Sequence, residues 1–227
     1  MCGRKTLTKN ISNIIEELII NEWDYQDFSP SYNIAPSQFS PVMIWKNNSR
    51  VVKKMRWGFE NSWSKTKIPH QIINARSETI LEKPIFKNLF YTNRCVIIAD
   101  GYFEWKTNSM QPYYIFHPKK EILPMAGIWN FFSDSRNNTT ATYTIITTSA
   151  QKNINQIHHR MPVILNKENI NEWIFNQNNN HSDLLQYLKP FDRELESYPV
   201  STIVNSTTNN NVNCIKKNQQ QQLLIKF

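Results

Sequence analysis

Glycine is scarce in this chain. A sequence of 227 residues with ordinary usage, about 7% glycine, would carry roughly 16 of them. This one has four, Gly3, Gly58, Gly101 and Gly127. Those that remain mark backbone positions needing a positive φ or a close approach. Each stands beside aromatic or charged residues, in Cys2-Gly3-Arg4, Arg56-Trp57-Gly58-Phe59, Asp100-Gly101-Tyr102-Phe103-Glu104-Trp105 and Ala126-Gly127-Ile128-Trp129. Cysteine is also sparse. The three present, Cys2, Cys95 and Cys214, are an odd number with no C-x-x-C pair, which argues against a disulfide framework or a zinc ribbon and for a reducing, intracellular setting. An apolar secretory segment is missing from the N-terminus. No apolar run is long enough to span a bilayer, so no membrane association is expected.

Hydrophobic residues make up 40% of the chain and aromatics 12%, enough for a sizeable core in one large domain or two small ones. The net charge is +8 and the pI about 9.3. That balance favours an anionic partner, nucleic acid foremost, with a solvated lysine-rich surface as the alternative. Abundant Asn, Ile and Lys, as in AT-rich coding sequence, account for part of it.

Residues 8–21 carry Ile11, Ile14, Ile15, Leu18 and Ile19 at helical spacing, with Thr8 or Asn10 as N-cap. Ser29 to Pro36 is punctuated by prolines and reads as an ordered loop. Strands are expected at Pro41–Trp45 and Arg50–Trp57, joined by a Lys-Asn-Asn-Ser turn. Arg56 beside Trp57 fits core capping, or a phosphate contact next to a stacking platform. Asn74-Ala75-Arg76-Ser77-Glu78 leads into a helix through Ile80 and Leu89, capped by Ser77 and kinked at Pro84. Asn74 could simply fasten a turn. Arg76 opposes the dipole preference of a helix N-terminus, which favours an anion-binding role.

Val96 to Ala99 is a continuous apolar run, as in a buried strand. Tyr102 to Trp105 resumes it after Gly101, so Glu104 is flanked by aromatics. A carboxylate there has its pKa raised towards neutrality, as a general acid or base requires; an edge-strand Glu facing water is the alternative. Further strands are expected at Pro112–Phe116, Leu123–Phe131 and Ala141–Ser149. His158 and His159 precede Arg160 and a Pro-led strand. Neighbouring histidines on an extended chain point apart, so a shared metal is not expected, and one of them serves better as an acid or base. Short helices are expected around Lys167–Phe175 and Ser182–Leu188, with an Asn-rich stretch between. Beyond residue 205 the chain reads as a polar tail, Gln-rich at 219–222.

Cys2 is one peptide bond from being terminal. With Met1 removed it would carry an amine and a thiol on one residue, with reference pKa values near ~8 and ~8.5. Such an aminothiol condenses with an aldehyde to an imine and closes to a thiazolidine. In isolation, Cys2 reads equally as a small residue after a trimmed Met1.

Seven segments occur in order: Met1-Cys-Gly-Arg4, Tyr32-Asn-Ile-Ala-Pro36, Arg56-Trp-Gly-Phe59, Asn74-Ala-Arg-Ser-Glu78, Arg94 to Trp105, Ala126-Gly-Ile-Trp129 and Ile157-His-His-Arg-Met-Pro-Val-Ile-Leu165. Together they resemble the SOS-response-associated peptidase (SRAP) family, whose members shield abasic sites in single-stranded DNA. The resemblance spans residues 2 to about 205. It implies an α+β fold, a single domain (1–205, then a tail, 206–227) with a curled, barrel-like mixed β-sheet flanked by helices. It implies that Cys2 releases Met1 and forms a thiazolidine crosslink with the ring-opened abasic sugar. Asn74 would hold the Cys2 amine, Glu104 would move protons, and His158 would be the catalytic histidine. Arg4, Arg56, Arg76 and Arg160 would line the DNA groove with Trp57. Neither metal nor cofactor is implied, and a monomer acting on single-stranded DNA is expected. A cysteine peptidase using Cys2, His158 and Glu104 on other proteins, and a non-catalytic single-stranded DNA-binding module, are the competing readings.

Overall fold

The computed structural model describes residues 2–59, 71–134, 136–175 and 181–218. In chain order the elements are β1 (Arg4–Leu7), α1 (Ile11–Leu18), β2 (Glu22–Asp24), β3 (Ser31–Ile34), β4 (Phe39–Lys46), β5 (Ser49–Trp57) and β6 (Asn74–Arg76). They continue with α2 (Pro84–Thr92), β7 (Arg94–Ala99), β8 (Gly101–Trp105), β9 (Pro112–Phe116), β10 (Leu123–Ser133), β11 (Thr139–Ser149) and α3 (Lys152–Asn155). The last are β12 (Arg160–Pro162), α4 (Ile170–Ile174), α5 (His181–Leu185) and β13 (Glu196–Pro199).

Five strands close on themselves. β5 pairs with β4, β4 with β7, β7 with β10 and β10 with β11, all antiparallel, and β11 returns to β5 in parallel. The result is a mixed barrel. Its strands carry the long apolar runs of the sequence; every residue of β7 is buried. A second sheet, in the order β13-β9-β8-β1-β3, packs beside it. The chain passes from the barrel into this sheet at Asp100, between β7 and β8. The fold is therefore α+β in one domain, as the sequence implies.

Local chemistry explains most boundaries. Asn10 caps α1, its side-chain oxygen accepting from the Asn13 N–H at 2.9 Å. The helix stops earlier than its periodicity suggests because Ile19 adopts a left-handed conformation, φ 50°. Pro84 does not kink a helix but opens one, at the position where a missing N–H costs nothing. Ser77 caps nothing; a 3₁₀ turn at Ser77–Thr79 precedes α2. Asn47 and Asn48 both have positive φ and make the tight turn between β4 and β5. Gly58 has φ 110°, a conformation that side chains rarely adopt. At Gly101 a Cβ would lie 2.3 Å from the Tyr114 hydroxyl, so the close packing of β8 on β9 requires glycine.

The chain stays packed beyond residue 205. Asn33 donates from Nδ2 to the carbonyls of Val204, Ser206 and Asn209. Cys214 is buried in a 3₁₀ turn, and Val200 bridges to Lys217. The packing thus continues past residue 205 as far as Asn218. The Gln-rich stretch and most of the Asn-rich stretch lie outside the described residues.

Candidate active site and nucleic-acid face

β1 carries Cys2 to the seam between the barrel and the second sheet. Its antiparallel register with β8 pairs Arg4 with Phe103, Lys5 with Tyr102 and Thr6 with Gly101. One further step sets Glu104 beside Gly3. Asp100 fastens this strand. Its Oδ1 accepts from Thr6 Oγ1 (2.5 Å), and its Oδ2 accepts from the Thr8 N–H (2.5 Å) and Oγ1 (2.7 Å). Cys2 is fully buried. Burial, then the nearby Glu104 carboxylate, hold its thiol well above the ordinary value, so it rests protonated.

Asn74 reaches Cys2 from β6, which the parallel pairing of Asn74 with Ile145 on β11 holds in place. Asn74 Nδ2 donates to the Cys2 carbonyl oxygen at 2.9 Å. An amide has two faces, and here the donor face is used. The Asn74 Oδ1 atom is buried with no hydrogen-bond partner among the described residues.

Glu104 is 2% exposed. Burial pushes its carboxyl up to about 7, with the positive amino terminus of the chain pulling the other way. At neutral pH both protonation states are populated, which suits proton transfer in either direction. Of the two sequence alternatives, water-facing or sheltered, the structure shows the sheltered one.

His158 is half-buried, and burial, followed by the charge of the amino terminus, lowers its pKa. Its Nδ1 lies within hydrogen-bond distance of both the Arg160 N–H (3.0 Å) and the Arg160 carbonyl (3.2 Å). His158 and His159 do not point apart. The chain bends there, and the two rings stack with centroids 4.5 Å apart at 26°.

The cationic groove expected from sequence divides in two. Arg160 is 9% exposed and already engaged. It donates to Glu78 Oε1 (2.5 Å) and Oε2 (3.0 Å), and to the Thr147 carbonyl (2.6 Å). Arg4 donates to Asn33 Oδ1 (2.8 Å) and to the carbonyls of Val204 (2.6 Å) and Asn205 (3.0 Å). Both are clamps, with their forks consumed by protein oxygens. Trp57 is no stacking platform either. It is fully buried, donates from Nε1 to the Ile73 carbonyl at 3.0 Å, and stacks on Tyr143 at 6.1 Å. Its strand position faces the barrel interior, which realises the core-capping alternative.

Arg56 and Arg76 behave differently. Arg76 is exposed, and Arg56 is half-buried with its guanidinium 5.9 Å from the Phe132 ring. Both border β11, Arg56 opposite Thr142 and Arg76 opposite Thr147. Asn74, opposite Ile145, falls between them. The two positions are thus about 17 Å apart along β11, at roughly 3.3 Å per residue, and five residues apart in register, so Arg76 shares the face of Asn74 while Arg56 leaves on the other face.

Sequence reading missed Lys5. It is fully buried beneath the site, donating to Ser40 Oγ at 2.6 Å and the Ile98 carbonyl at 3.1 Å, and burial lowers its pKa to about 7. The available signal was its place two residues from Leu7 on the same face of a short strand. Trp105 was also passed over; its Nε1 donates to Asn205 Oδ1 at 2.8 Å and helps Arg4 pin the turn at Thr202–Asn205.

The chain is similar to several known proteins. Abasic site processing protein YoqW of Bacillus subtilis (strain 168) is 37% identical over 222 residues, covering 95% of this chain and 99% of that protein. Abasic site processing protein HMCES of Xenopus tropicalis is 32% identical over 226 residues, covering 85% of this chain and 67% of that protein. A solved structure from Bacteroides thetaiotaomicron superposes with a TM-score of 0.83 at 24% identity, covering 96% of this chain and all of that one; this likeness concerns the fold. The family description "SOS response associated peptidase (SRAP)" matches residues 1–207, nearly the whole packed unit. On that match and these relatives, the chain belongs to the SOS response associated peptidase family.

Proposed function

We propose that this protein processes abasic sites in single-stranded DNA by forming a covalent bond to them through Cys2. The observation that carries the reading is the juxtaposition at Cys2. A terminal aminothiol in waiting has its carbonyl held by Asn74 and a carboxyl with pKa about 7 beside it. The names of the relatives point the same way.

The chemistry follows from these groups. Hydrolysis of the Met1–Cys2 peptide bond consumes one water and yields free methionine and the Cys2 α-amine. This is self-release by Cys2, with Glu104 taking and returning protons because the thiol itself rests protonated. The freed amine finds an acceptor in Asn74 Oδ1, which has no other partner among the described residues. An abasic sugar is mostly a closed hemiacetal. Protonated Glu104 donates to the ring oxygen and opens it to the C1′ aldehyde. The amine adds to that carbon and water leaves, giving an imine. The thiol then adds across the C=N bond, its proton passing to the nitrogen, and a thiazolidine closes with no further loss. Neutral His158 assists as the second proton carrier. Such a product lacks the iminium that promotes strand cleavage, so the DNA is shielded.

A peptidase acting on other proteins fits less well, because Cys2 lies one peptide bond from the bond it would cleave in its own chain. A purely non-catalytic DNA-binding module would have no use for a raised carboxyl pKa beside a buried cysteine.

Intact-mass measurement and a denaturing gel test the proposal on three proteins: wild type, Cys2→Ala, and a variant with a non-removable residue ahead of Cys2. Wild type is expected to lack Met1 and to gain the mass of an abasic oligonucleotide minus one water. Cys2→Ala should bind without a denaturation-stable product, and the blocked variant should give none. Crosslinking by the blocked variant at the wild-type level would overturn the aminothiol mechanism.

A further inference from the structure

Outside the Cys2 seam, the outer face of the barrel carries an unusual row of side chains. Lys54 Nζ lies 5.2 Å from the Tyr25 ring and 5.1 Å from the Phe39 ring. Phe39 is the cross-strand partner of Arg56, and Arg56 lies 5.9 Å from the Phe132 ring. The order across the surface is therefore Tyr25, Lys54, Phe39, Arg56, Phe132, with aromatic and cation alternating. Phe39 is 43% exposed, a poor use of a large apolar ring unless something covers it.

The acids of the neighbouring strand are engaged elsewhere. On β2, Glu22 and Asp24 are taken by Lys53 at 3.9 Å and 2.5 Å. Lys53 and Lys54 are adjacent in β5, so their side chains leave on opposite faces. Lys54 thus turns away from the acids and towards the rings. A flat, exposed ring between two cations matches a polyanion that carries flat bases. Duplex DNA hides its bases in the stack; a single strand offers them.

We propose that this row is a second contact for single-stranded DNA, sequence-independent, in which bases stack on Phe39 and Phe132 while Lys54 and Arg56 meet the phosphates. It rests on the reading of single-stranded DNA as the ligand and extends it. The row meets β11 at Thr142, three residues from the register of Asn74, about 10 Å at strand spacing. By strand alternation the row lies on the face of β11 opposite to that of Asn74 and Arg76, so a strand that meets both contacts passes from one face to the other between them.

The test uses the full chain with Phe39→Ala/Lys54→Ala, Phe39→Trp and wild type, each checked for an unchanged melting temperature. Two ligands are compared: a short abasic oligonucleotide that covers only the Cys2 seam, and an undamaged single strand long enough to run from Arg76 to Phe132. The double variant is expected to bind the long strand about ten-fold more weakly or worse, since losing one stacked base and one phosphate contact has that size. Its crosslinking of the short abasic oligonucleotide should match wild type. Phe39→Trp should keep or raise long-strand affinity, which a merely structural phenylalanine would not require. Unchanged long-strand affinity in the double variant overturns the proposal. Loss of long-strand affinity in a protein whose wild type forms no abasic crosslink would uphold the row and overturn the aminothiol chemistry instead.

Discussion

Two sets of charges serve this protein in opposite ways. The inner set is the buried Lys5, Glu104 and Arg160 with the half-buried Arg4, whose guanidinium is held by Asn33 and two backbone carbonyls. The outer set, Lys54, Arg56 and Arg76, stands on the surface beside β4 and β11. A charge taken out of water must find a partner or change its protonation state. The arginines, which cannot lose their proton, found partners in Glu78, Asn33 and backbone carbonyls. Glu104 and Lys5 moved to pKa values of about 7. The outer cations stay at the surface, where a polyanion can reach them. Position, more than residue type, separates holding and chemistry from recruitment.

Removing the inner carboxylate should have the largest effect. Glu104→Gln is nearly isosteric and cannot shuttle a proton, so covalent product should form about 10²–10⁴-fold more slowly on a timed denaturing gel. Binding of undamaged strand should not change. The same variant reports on stability. The folded-state pKa of Glu104, about 7, stands above its ordinary 4.5. The contribution of its neutral form is therefore complete below pH 4.5 and is lost as pH rises through 7. Above that range the Glu104→Gln variant should be more stable than wild type by roughly 3 kcal/mol, following 1.36 kcal/mol per pKa unit. Urea titrations at acidic and mildly alkaline pH would show the gap open with pH. A gap that closed instead would place Glu104 among the solvated charges.

Next in size is the clamp. Arg160→Ala strips the Thr147 carbonyl and Glu78 of their donor. Glu78 is half-exposed and can return to water, so the loss comes mainly from the backbone oxygen and the emptied space. About 2–3 kcal/mol is expected in urea unfolding. Any loss of DNA binding should follow the unfolded fraction alone. A variant of wild-type stability with weakened DNA binding would move Arg160 to the outer set.

Arg76→Ala reverses that pattern. Stability should shift by less than about 0.5 kcal/mol, as for surface positions in general. Affinity for undamaged single strand should fall several-fold to about ten-fold at low salt, equally across sequences. The slope of log affinity against log salt should flatten by about 0.7, one phosphate contact on a single strand. A sequence-selective loss, or an unchanged slope, would remove Arg76 from the phosphate path.

The division between the two sets explains what the sequence could and could not convey. Glu104 was legible because it stands in an apolar, aromatic strand, although Phe103 and Trp105 turn to the other face and it is Tyr102 and Cys2 that share its side. β7 was legible because an unbroken apolar run has one comfortable place. The partners of the arginines were not legible. Arg160 meets Glu78 across 82 residues and Arg4 meets Val204 across 200, and a sequence displays charges without their partners. Trp57 was ambiguous for the same reason: Arg-Trp at a strand end suits a core or a groove, and only closure of the barrel by β11 against β5 decided it. Asn74 was found by its motif, yet which of its two amide atoms faces Cys2 depends on the register of β6 on β11.

The gentlest change separates the two sets most cleanly, because it keeps the charge and alters only its shape. Lysine carries the same charge as arginine but lacks the planar fork. At Arg76, where a positive charge near a phosphate is enough, Arg76→Lys should leave stability and the salt slope unchanged and affinity within about three-fold of wild type. At Arg160 the fork spans Glu78 and the Thr147 carbonyl at once, a geometry one ammonium cannot reproduce. Arg160→Lys should therefore recover less than half of what Arg160→Ala loses. It should also leave a buried ammonium with a lowered pKa, so that the variant's stability declines as pH falls from the ordinary lysine value, about 10.4, towards that lowered one. Melting temperatures of the two lysine variants across pH, beside one salt titration each, are sufficient measurements. Equal behaviour of the two would mean that burial does not distinguish these arginines, and the inner and outer sets would be one.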